Sequence, residues 1–158
     1  MNKTAFVFVM FVAAASAISL SRKVDTLSEA TGVVNFRRCG GLGTPLQLRI
    51  SDCVGNCSFE PGKIYNCEAD FMPSSAAPSL TLRVEICMTS GLCMQIINAE
   101  LPGSSVQPGM IYTARYSLVP NDILSGQTVE FRGQIVHTNN QIVEICLAAD
   151  VIILIPVG

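Results

Sequence analysis

The sequence predicts an all-β fold, an antiparallel β-sandwich of seven or eight strands, and three observations lead to this prediction. The chain of 158 residues divides into short segments separated by glycine, proline, asparagine and serine, and no amphipathic run is long enough for a major helix. Within these segments apolar and polar residues alternate, which is typical of strands with one buried face. Seven cysteines indicate a fold that is stabilised by disulfide bonds.

The chain begins with a segment typical of a secretory signal peptide. Lys3 supplies the basic residue, residues 5–14 form a short apolar run, and residues 15–17 (Ala-Ser-Ala) fit the small-residue cleavage pattern. The apolar run is too short to cross a bilayer, which takes about 20 residues. We expect cleavage after residue 17, which leaves residues 18–158 as a single domain with a core at about 32–155.

The composition of the mature segment excludes one class of partner. Without Lys3 it carries nine basic and twelve acidic residues, and no cluster of lysine or arginine appears, which argues against nucleic acid as a partner. Over the full chain only 14% of residues are charged, and the mean hydropathy of +0.45 is apolar for a soluble secreted protein. We expect a secreted, extracellular monomer, with an endolysosomal location as the alternative.

Seven segments show the alternation, and residues two positions apart in a strand share a face. The inward-facing residues in chain order are Leu46, Leu48 and Ile50; Tyr65, Cys67, Ala69 and Phe71; Leu80, Leu82, Val84 and Ile86; Leu92, Met94 and Ile96; Tyr112, Ala114, Tyr116 and Leu118; Val129, Phe131 and Ile135; and Val143, Ile145 and Leu147. A true immunoglobulin domain is the competing prediction. The absence of tryptophan and the spacing of the cysteines weaken it.

The cysteines fit disulfides better than a metal or redox site. A zinc site would need Cys-x₂-Cys pairs or several histidines, and a thioredoxin-like site would need Cys-x-x-Cys. This chain instead has a Cys-x₃-Cys pair, Cys53 and Cys57, and a single histidine. Cys87 and Cys93 lie on outward faces on either side of a turn, where a cross-strand disulfide is geometrically natural.

The remaining cysteines complete the expected set. Cys39 and Cys146 are left for each other, and a disulfide that closes a loop of this length stabilises by roughly 4 to 5 kcal/mol in the chain-entropy model. Cys67 lies on an inward face, so we expect a buried free thiol that behaves as a small apolar residue. The sequence Asn56-Cys57-Ser58 makes Asn56 a candidate acceptor for a glycan.

The order of several motifs resembles the ML lipid-recognition family over about residues 32–155. These motifs are FRRCGG, ISDCVGNCSFEPGKIYNCEADF, a hairpin, GMIYTARYSLVPND and IVEICLAAD. The family includes the Niemann-Pick type C2 sterol carriers, the group 2 mite allergens and many secreted arthropod relatives. The resemblance implies an immunoglobulin-like β-sandwich with the pairs Cys39–Cys146 and Cys53–Cys57. One family disulfide has no counterpart, because the segment LPGSSVQPG lacks cysteine.

The resemblance also implies an apolar lipid cavity between the two sheets, with its entrance at LVPNDIL. The expected lining residues are Phe71, Leu82, Ile86, Met94, Ile96, Tyr112, Tyr116, Leu118, Val119, Ile123, Leu124, Phe131 and Ile145. From this we expect a carrier of a sterol, a fatty acid or a related lipid, which a receptor or a membrane surface would receive. The alternatives are an innate-immune sensor of microbial lipids and a non-binding structural or adhesion module.

The sequence shows no arrangement typical of catalysis. His137 has no serine or cysteine motif beside it, and we expect it to be an exposed turn residue. The acidic residues fall on outward faces, where we expect them to be solvated. Residues 40–43 (GGLG) lack the strand and helix that would make a phosphate-binding loop. We therefore expect no enzyme activity, no metal and no cofactor.

Overall fold

The computed structural model describes residues 19–22 and 32–157. The expected signal peptide and its cleavage site lie outside the described residues. All regular structure in the described part is β-strand or turn, and no helix there is long and apolar enough to cross a membrane.

Strands of seven to eleven residues match the seven segments in which the sequence alternates, and four shorter strands complete the sheets. In chain order the strands are β1 (Ser19–Arg22), β2 (Val33–Val34), β3 (Arg37–Gly40), β4 (Thr44–Ile50), β5 (Cys57–Phe59), β6 (Tyr65–Met72), β7 (Leu80–Cys87), β8 (Cys93–Glu100), β9 (Tyr112–Leu118), β10 (Thr128–His137) and β11 (Val143–Ile153).

Two sheets pack face to face. The first sheet has the order β1-β9-β6-β4-β2, and the second has the order β3-β11-β10-β7-β8. Neighbouring strands in both orders are antiparallel, while the short β5 adds to β11 in parallel. The prediction of an immunoglobulin-like antiparallel β-sandwich is confirmed.

The core lies between the inner faces of the two sheets. Ile50, Phe71 and Leu118 contribute to it from the first sheet, and each is at most 2% exposed. Ile86 and Ile145 face them from the second sheet and are equally buried. Burying one such side chain contributes about 1.5 to 3 kcal/mol, so the packing between the sheets is the main stabilising interaction of the fold.

Two inward assignments from the sequence are wrong. Leu46 is 43% exposed, because the register of β4 against β6 shifts between residues 45 and 47 and leaves this residue in a bulge. Leu92 is 57% exposed, because it belongs to the turn of the β7–β8 hairpin and not to a strand. In both cases the two-residue period is interrupted by local geometry.

A second bulge rearranges β8. Val84 pairs with Ile97, while the next residue of β7, Glu85, pairs with Gln95, so Ile96 is the extra residue of this bulge. As a result Ile97 occupies the inward position and is only 5% exposed. Ile96 is half-buried at the edge of the core.

The structure contains the three disulfides that the sequence analysis names. Cys39–Cys146 joins β3 to β11 across 107 positions, Cys53–Cys57 closes a short loop before β5, and Cys87–Cys93 joins β7 to β8. Cys67 is buried and free of any disulfide. Asn56 lies exposed inside the short loop.

Candidate functional site

A small cavity lies between the two sheets, near the middle of the sandwich. Its volume is about 20 Å³, which is space for one water molecule. Apolar residues dominate its lining, and among the lining residues only Tyr116 and Gln134 carry polar side-chain atoms. The lining consists of Leu48, Ala69, Leu82, Ala114, Tyr116, Phe131, Gly133, Gln134, Ile135, Ile145 and Leu147.

Small residues on both sheets explain why the packing leaves a gap at this point. Ala69 in β6 pairs directly with Ala114 in β9, so two adjacent inward positions of the first sheet carry only a methyl group. Gly133 in β10 has no side chain at all. A Cβ atom at Gly133 would lie 3.7 Å from the hydroxyl oxygen of Tyr116, so this tyrosine reaches across the sandwich to the opposite sheet.

Tyr116 and Cys67 form a buried polar pair beside the cavity. They are directly paired residues of β9 and β6. Burial raises the pKa of the Cys67 thiol to about 12, although its hydrogen bond with Tyr116 acts in the opposite direction. Burial also raises the pKa of Tyr116 well above its ordinary value. Both groups are therefore neutral at physiological pH, and Cys67 is not an activated nucleophile.

The structure brings four of the thirteen expected lining residues together at the cavity: Leu82, Tyr116, Phe131 and Ile145. The other nine lie elsewhere. Those buried in the core away from the cavity are Phe71, Ile86, Leu118 and Leu124. Tyr112 borders an open groove with Met110 and Gln107. Met94 and Ile96 are half-buried in the edge strand β8, Val119 is half-buried, and Ile123 is 44% exposed.

Seven lining residues were absent from the expected set. Five of them, Leu48, Ala69, Ala114, Ile135 and Leu147, lie on faces that the alternation assigns to the interior. A signal that could have singled out the two alanines is their small size at inward positions, since small residues leave space in a core. Gly133 lies on the inward face of its strand, between Phe131 and Ile135, so the alternation and the absence of a side chain together indicate space there. The alternation carries no signal for Gln134.

A chain of aromatic rings leads from the cavity to one end of the sandwich. The ring of Phe131, which lines the cavity, lies 5.9 Å from the ring of Phe59, and Phe59 lies 4.4 Å from Tyr65. The hydroxyl of Tyr65 accepts a hydrogen bond of 2.8 Å from the backbone N–H of Glu60, in the loop at that end. These three rings, which we call the aromatic cluster, fill the space between the cavity and this end.

That end of the sandwich exposes aliphatic side chains, and we call it the apolar end. It consists of residues 60–64, 119–127 and 154–157. Backbone hydrogen bonds hold these segments to one another and to the strand ends, from Gly62 to Pro120 at 2.8 Å and from Gly126 to Ile153 at 2.7 Å. The exposed side chains are Ile64 (59%), Ile123 (44%), Leu154 (41%), Ile155 (71%) and Val157 (100%).

The opposite end, which we call the polar end, is closed by a buried, hydrogen-bonded histidine and glutamate. It consists of residues 41–43, 73–79 and 138–142, which flank His137 and Glu144. The Nε2 atom of His137 and the Oε1 atom of Glu144 are 2.6 Å apart, and the side chains are 3% and 0% exposed. The expectation that His137 is an exposed turn residue is therefore wrong, because Glu144 gives its ring a buried partner.

Glu144 connects the two sheets. Its carboxylate, in β11 of the second sheet, accepts hydrogen bonds from the backbone N–H of Ser74 at 2.7 Å and from the hydroxyl of Ser75 at 3.2 Å. Both serines follow β6 of the first sheet. Burial raises the pKa of Glu144, but the hydrogen bonds from Ser74 and His137 outweigh this effect and hold its pKa below the ordinary value.

A second acidic residue also departs from the expectation of solvated carboxylates. Asp70 is 1% exposed, although it lies on the outward face of β6. The guanidinium of Arg49 donates two hydrogen bonds to it, at 2.7 and 2.9 Å, and the hydroxyl of Thr113 donates a third at 2.7 Å. The expectation is wrong for Asp70 and Glu144, because charged and polar neighbours from other strands cover both.

Comparison with known proteins gives a structural likeness and no sequence match. No family model matches the chain, and no curated protein matches it significantly. A solved structure, a Niemann-Pick type C2 protein from the Japanese carpenter ant, superimposes with a TM-score of 0.60 at 12% identity. The alignment covers 75% of this chain and 98% of that chain. The sandwich is similar in fold to a Niemann-Pick type C2 protein.

At this identity the likeness shows the fold alone. A second structure, the CARDB domain of the PF1109 protein from Pyrococcus furiosus, aligns over 84% of this chain and 99% of that chain at 18% identity. Its TM-score of 0.42 is too low to carry an argument. The Niemann-Pick type C2 likeness agrees with the immunoglobulin-like sandwich described above.

Proposed function

We propose that this protein is a secreted carrier that binds one small lipid, such as a sterol or a fatty acid, between the two sheets of its sandwich. The observation that carries the proposal is the apolar cavity between the sheets, in a fold similar to that of a Niemann-Pick type C2 protein. The motifs that resemble the ML family support the same function. We take the protein to be one domain, about residues 32–155, that acts as a monomer.

The size of the cavity sets a condition on binding. Pockets for small ligands typically have volumes of about 300 to 1,000 Å³, whereas this cavity has about 20 Å³. A lipid therefore enters only if the two sheets move apart. Burying roughly 400 Å² of apolar ligand surface at about 25 cal/mol per Å² gives on the order of 10 kcal/mol before the costs of association. Only the part that remains after the costs of association is available to separate the sheets.

We propose that the lipid enters from the apolar end. The aromatic cluster occupies the path from this end to the cavity, so moving Phe59 and Tyr65 would open it. One hydroxyl crosses between the sheets at this end. Tyr65, in β6 of the first sheet, accepts a hydrogen bond of 2.8 Å from the N–H of Glu60 and donates one of 3.4 Å to the C=O of Ser58 in β5, which belongs to the second sheet. Opening this end therefore requires breaking these two bonds as well as the ring contacts.

The chemistry of the lining favours an uncharged ligand body. The lining contains no lysine, arginine or histidine, so a charged headgroup would be left without a partner inside the sandwich. A sterol or an acyl chain satisfies this condition when any charged group stays at the surface. The exposed aliphatic side chains of the apolar end would then contact the receptor or membrane that receives the lipid.

The alternative of a microbial-lipid sensor has one observation in its favour. Ile123 is 44% exposed at the expected entrance, and an exposed apolar rim there is a feature expected of a sensor. A sensor for charged amphiphiles also needs a cation near this rim. The apolar end contains Lys63, but its Nζ atom lies 3.2 Å from Oδ2 of Asp52, so this cation already has an acidic partner. The carrier function therefore fits better.

Native mass spectrometry tests the carrier function. The purified protein, with its disulfides intact, is incubated with sterols, fatty acids and glycolipids. We expect a complex with one lipid for the wild type and for the control variant Ala77→Leu, whose site is buried outside the cavity. The variant Ala114→Leu fills the cavity and should bind none, while thermal unfolding checks that it is folded.

The opposite result distinguishes the structural alternative. If the wild-type protein keeps the mass of the lipid-free chain with every lipid tested, the space between the sheets is closed to lipids. The proposed carrier function is then wrong. If Ala114→Leu remains folded and still binds lipid, the ligand does not occupy the space between the sheets.

A further inference from the structure

A glutamate and a disulfide, which together contain three potential metal-ligand atoms, lie on the outer face of the second sheet, away from the cavity. Glu85 and Cys87 belong to β7, and Cys93 begins β8 on the other side of the hairpin turn. One carboxylate oxygen and the two Sγ atoms all lie within 4.8 Å of one another. Cys87 is directly paired with Cys93, and Glu85 lies two positions before Cys87 and so shares its face.

Backbone hydrogen bonds, and not only the disulfide, hold this hairpin in shape. Within the turn, Met88 N–H donates to Leu92 C=O at 2.8 Å, and Gly91 N–H donates to Met88 C=O at 2.9 Å. The paired strands continue beyond the cysteines as far as Thr81 and Glu100. Opening the S–S bond would therefore leave the two sulfur atoms facing each other across the same strand pair.

The Cys87–Cys93 disulfide combines an exposed cysteine with a short loop, a combination that neither of the other two disulfides has. Cys93 is exposed, whereas Cys53 and Cys57 are both 2% exposed. The Cys87–Cys93 disulfide closes a loop across only 6 positions, against 107 for Cys39–Cys146. Since the stabilisation by a disulfide grows with the length of its loop, the hairpin disulfide contributes less than Cys39–Cys146.

The carboxylate of Glu85 is available to a cation. Arg132 in β10 is directly opposite Glu85, but its guanidinium binds Glu130 instead. The Nε atom of Arg132 lies 2.9 Å from Oε1 of Glu130, and a terminal nitrogen of Arg132 lies 2.5 Å from the same oxygen. Glu130 also binds Arg37 at 2.7 Å. These two arginines are thus engaged by another carboxylate, and Arg83, two positions before Glu85 on the same face, binds the side-chain oxygen of Gln141. Two sulfurs and one oxygen form a donor set that suits zinc.

We propose that Glu85, Cys87 and Cys93 form a thiol-gated site for a thiophilic divalent cation such as Zn²⁺. Two molecules of a small thiol reduce the disulfide, which gives two protein thiols and one small-molecule disulfide. Binding of the cation then releases both thiol protons to solvent, and no electron passes to the metal. Glu85 binds as its carboxylate, and water takes the fourth position of a tetrahedral site.

Cobalt is a suitable probe because Co²⁺ occupies zinc sites and absorbs visible light. The purified protein is treated with dithiothreitol at increasing concentration, the reductant is removed without air, and Co²⁺ is added. We expect Cys87 and Cys93 to be the first cysteines to become alkylatable. The reduced protein should then bind one Co²⁺ with a thiolate-to-cobalt absorption band, and Zn²⁺ should displace the Co²⁺ and protect both cysteines from alkylation.

Variants separate this site from other thiols. Glu85→Gln should weaken Co²⁺ binding at least tenfold, whereas Glu100→Gln, an exposed glutamate at the far end of the same strand pair, should leave it unchanged. The double variant Cys87→Ser, Cys93→Ser should lose the band while Cys39–Cys146 stays oxidised. The proposal is wrong if the protein with Cys87 and Cys93 reduced shows no thiolate-to-cobalt band, or if the double variant keeps the band. It is also wrong if Glu85→Gln binds Co²⁺ with wild-type affinity, or if all three disulfides are reduced at the same dithiothreitol concentration.

Discussion

The two ends of the sandwich are closed by different chemistry. At the polar end Glu144 of the second sheet binds Ser74 and Ser75, which follow the first sheet, and backbone bonds from residues 42 and 43 to β11 reinforce the connection. At the apolar end the space between the sheets is filled by the aromatic cluster, the hydroxyl of Tyr65 is the group that hydrogen-bonds across to β5, and the exterior is aliphatic.

This difference indicates which end can open. Buried hydrogen bonds to a charged group are directional, and breaking them leaves polar atoms without partners, which costs several kcal/mol. Ring contacts are weaker individually and re-form in shifted positions. We therefore expect the sheets to separate at the apolar end, with the polar end as the fixed side.

The largest expected effect concerns the fixed side. Replacing Glu144 with alanine leaves the ring of His137 and the N–H of Ser74 buried without their acceptor. Breaking a buried pair in this way destabilises by about 3 to 5 kcal/mol, which urea unfolding measures. Glu68→Ala, a half-exposed glutamate in ion pairs with Arg49 and Arg115, is the control and should lose much less. Equal losses for the two variants would show that the polar end is not a special connection.

A smaller effect follows from pH. The pKa of Glu144 is lower in the folded state than in the unfolded chain, where it is about 4.3. The stabilisation by the Glu144 carboxylate is therefore complete when the pH is above the pKa of the unfolded state. It is lost as the pH falls through the pKa of the folded state. The free energy of unfolding should thus fall with acidification below about pH 5, and less steeply in Glu144→Gln. If the free energy of unfolding of Glu144→Gln falls with pH as steeply as that of the wild type, other carboxylates cause the loss of stability in acid.

The smallest effect on stability is expected at the apolar end. Changing Ile123 and Ile155 to serine removes exposed side chains, so the free energy of unfolding should change by no more than about 0.5 kcal/mol for each substitution. Transfer of a bound lipid to neutral phosphatidylcholine vesicles should nevertheless slow several-fold. The matched control is the pair Leu42→Ser and Ile142→Ser at the polar end, also exposed. Equal transfer rates in the two double variants would show that the apolar end has no special role in delivering the lipid to the membrane.

The sequence predicted the strands well, because the alternation of apolar and polar residues depends only on near neighbours. It could not predict the bulges at Leu46 and Ile96, since a bulge depends on the register of the partner strand. His137 was misassigned for a related reason. Its burial depends on Glu144, which in turn is covered by Ser74, a residue 70 positions away.

The candidate site was predicted only in part. The inward faces contain most of the cavity lining, including Leu82 and Ile145. The position of the gap, however, results from Ala69, Ala114 and Gly133 facing one another from two sheets, which the pattern of a single strand does not show. The volume of the cavity is likewise a result of three-dimensional packing, so the sequence could suggest a pocket but not its size.

Distances between spin labels test the one-sided opening most directly. One pair of labels would replace Ile64 and Ile152, exposed residues near the apolar end on the first and second sheets. A second pair would replace Leu46 and Ile142, exposed residues near the polar end. When cholesterol or oleate is added, we predict that the first distance lengthens while the second stays constant. An unchanged first distance in the lipid complex, or a longer second distance, would contradict opening from the apolar end.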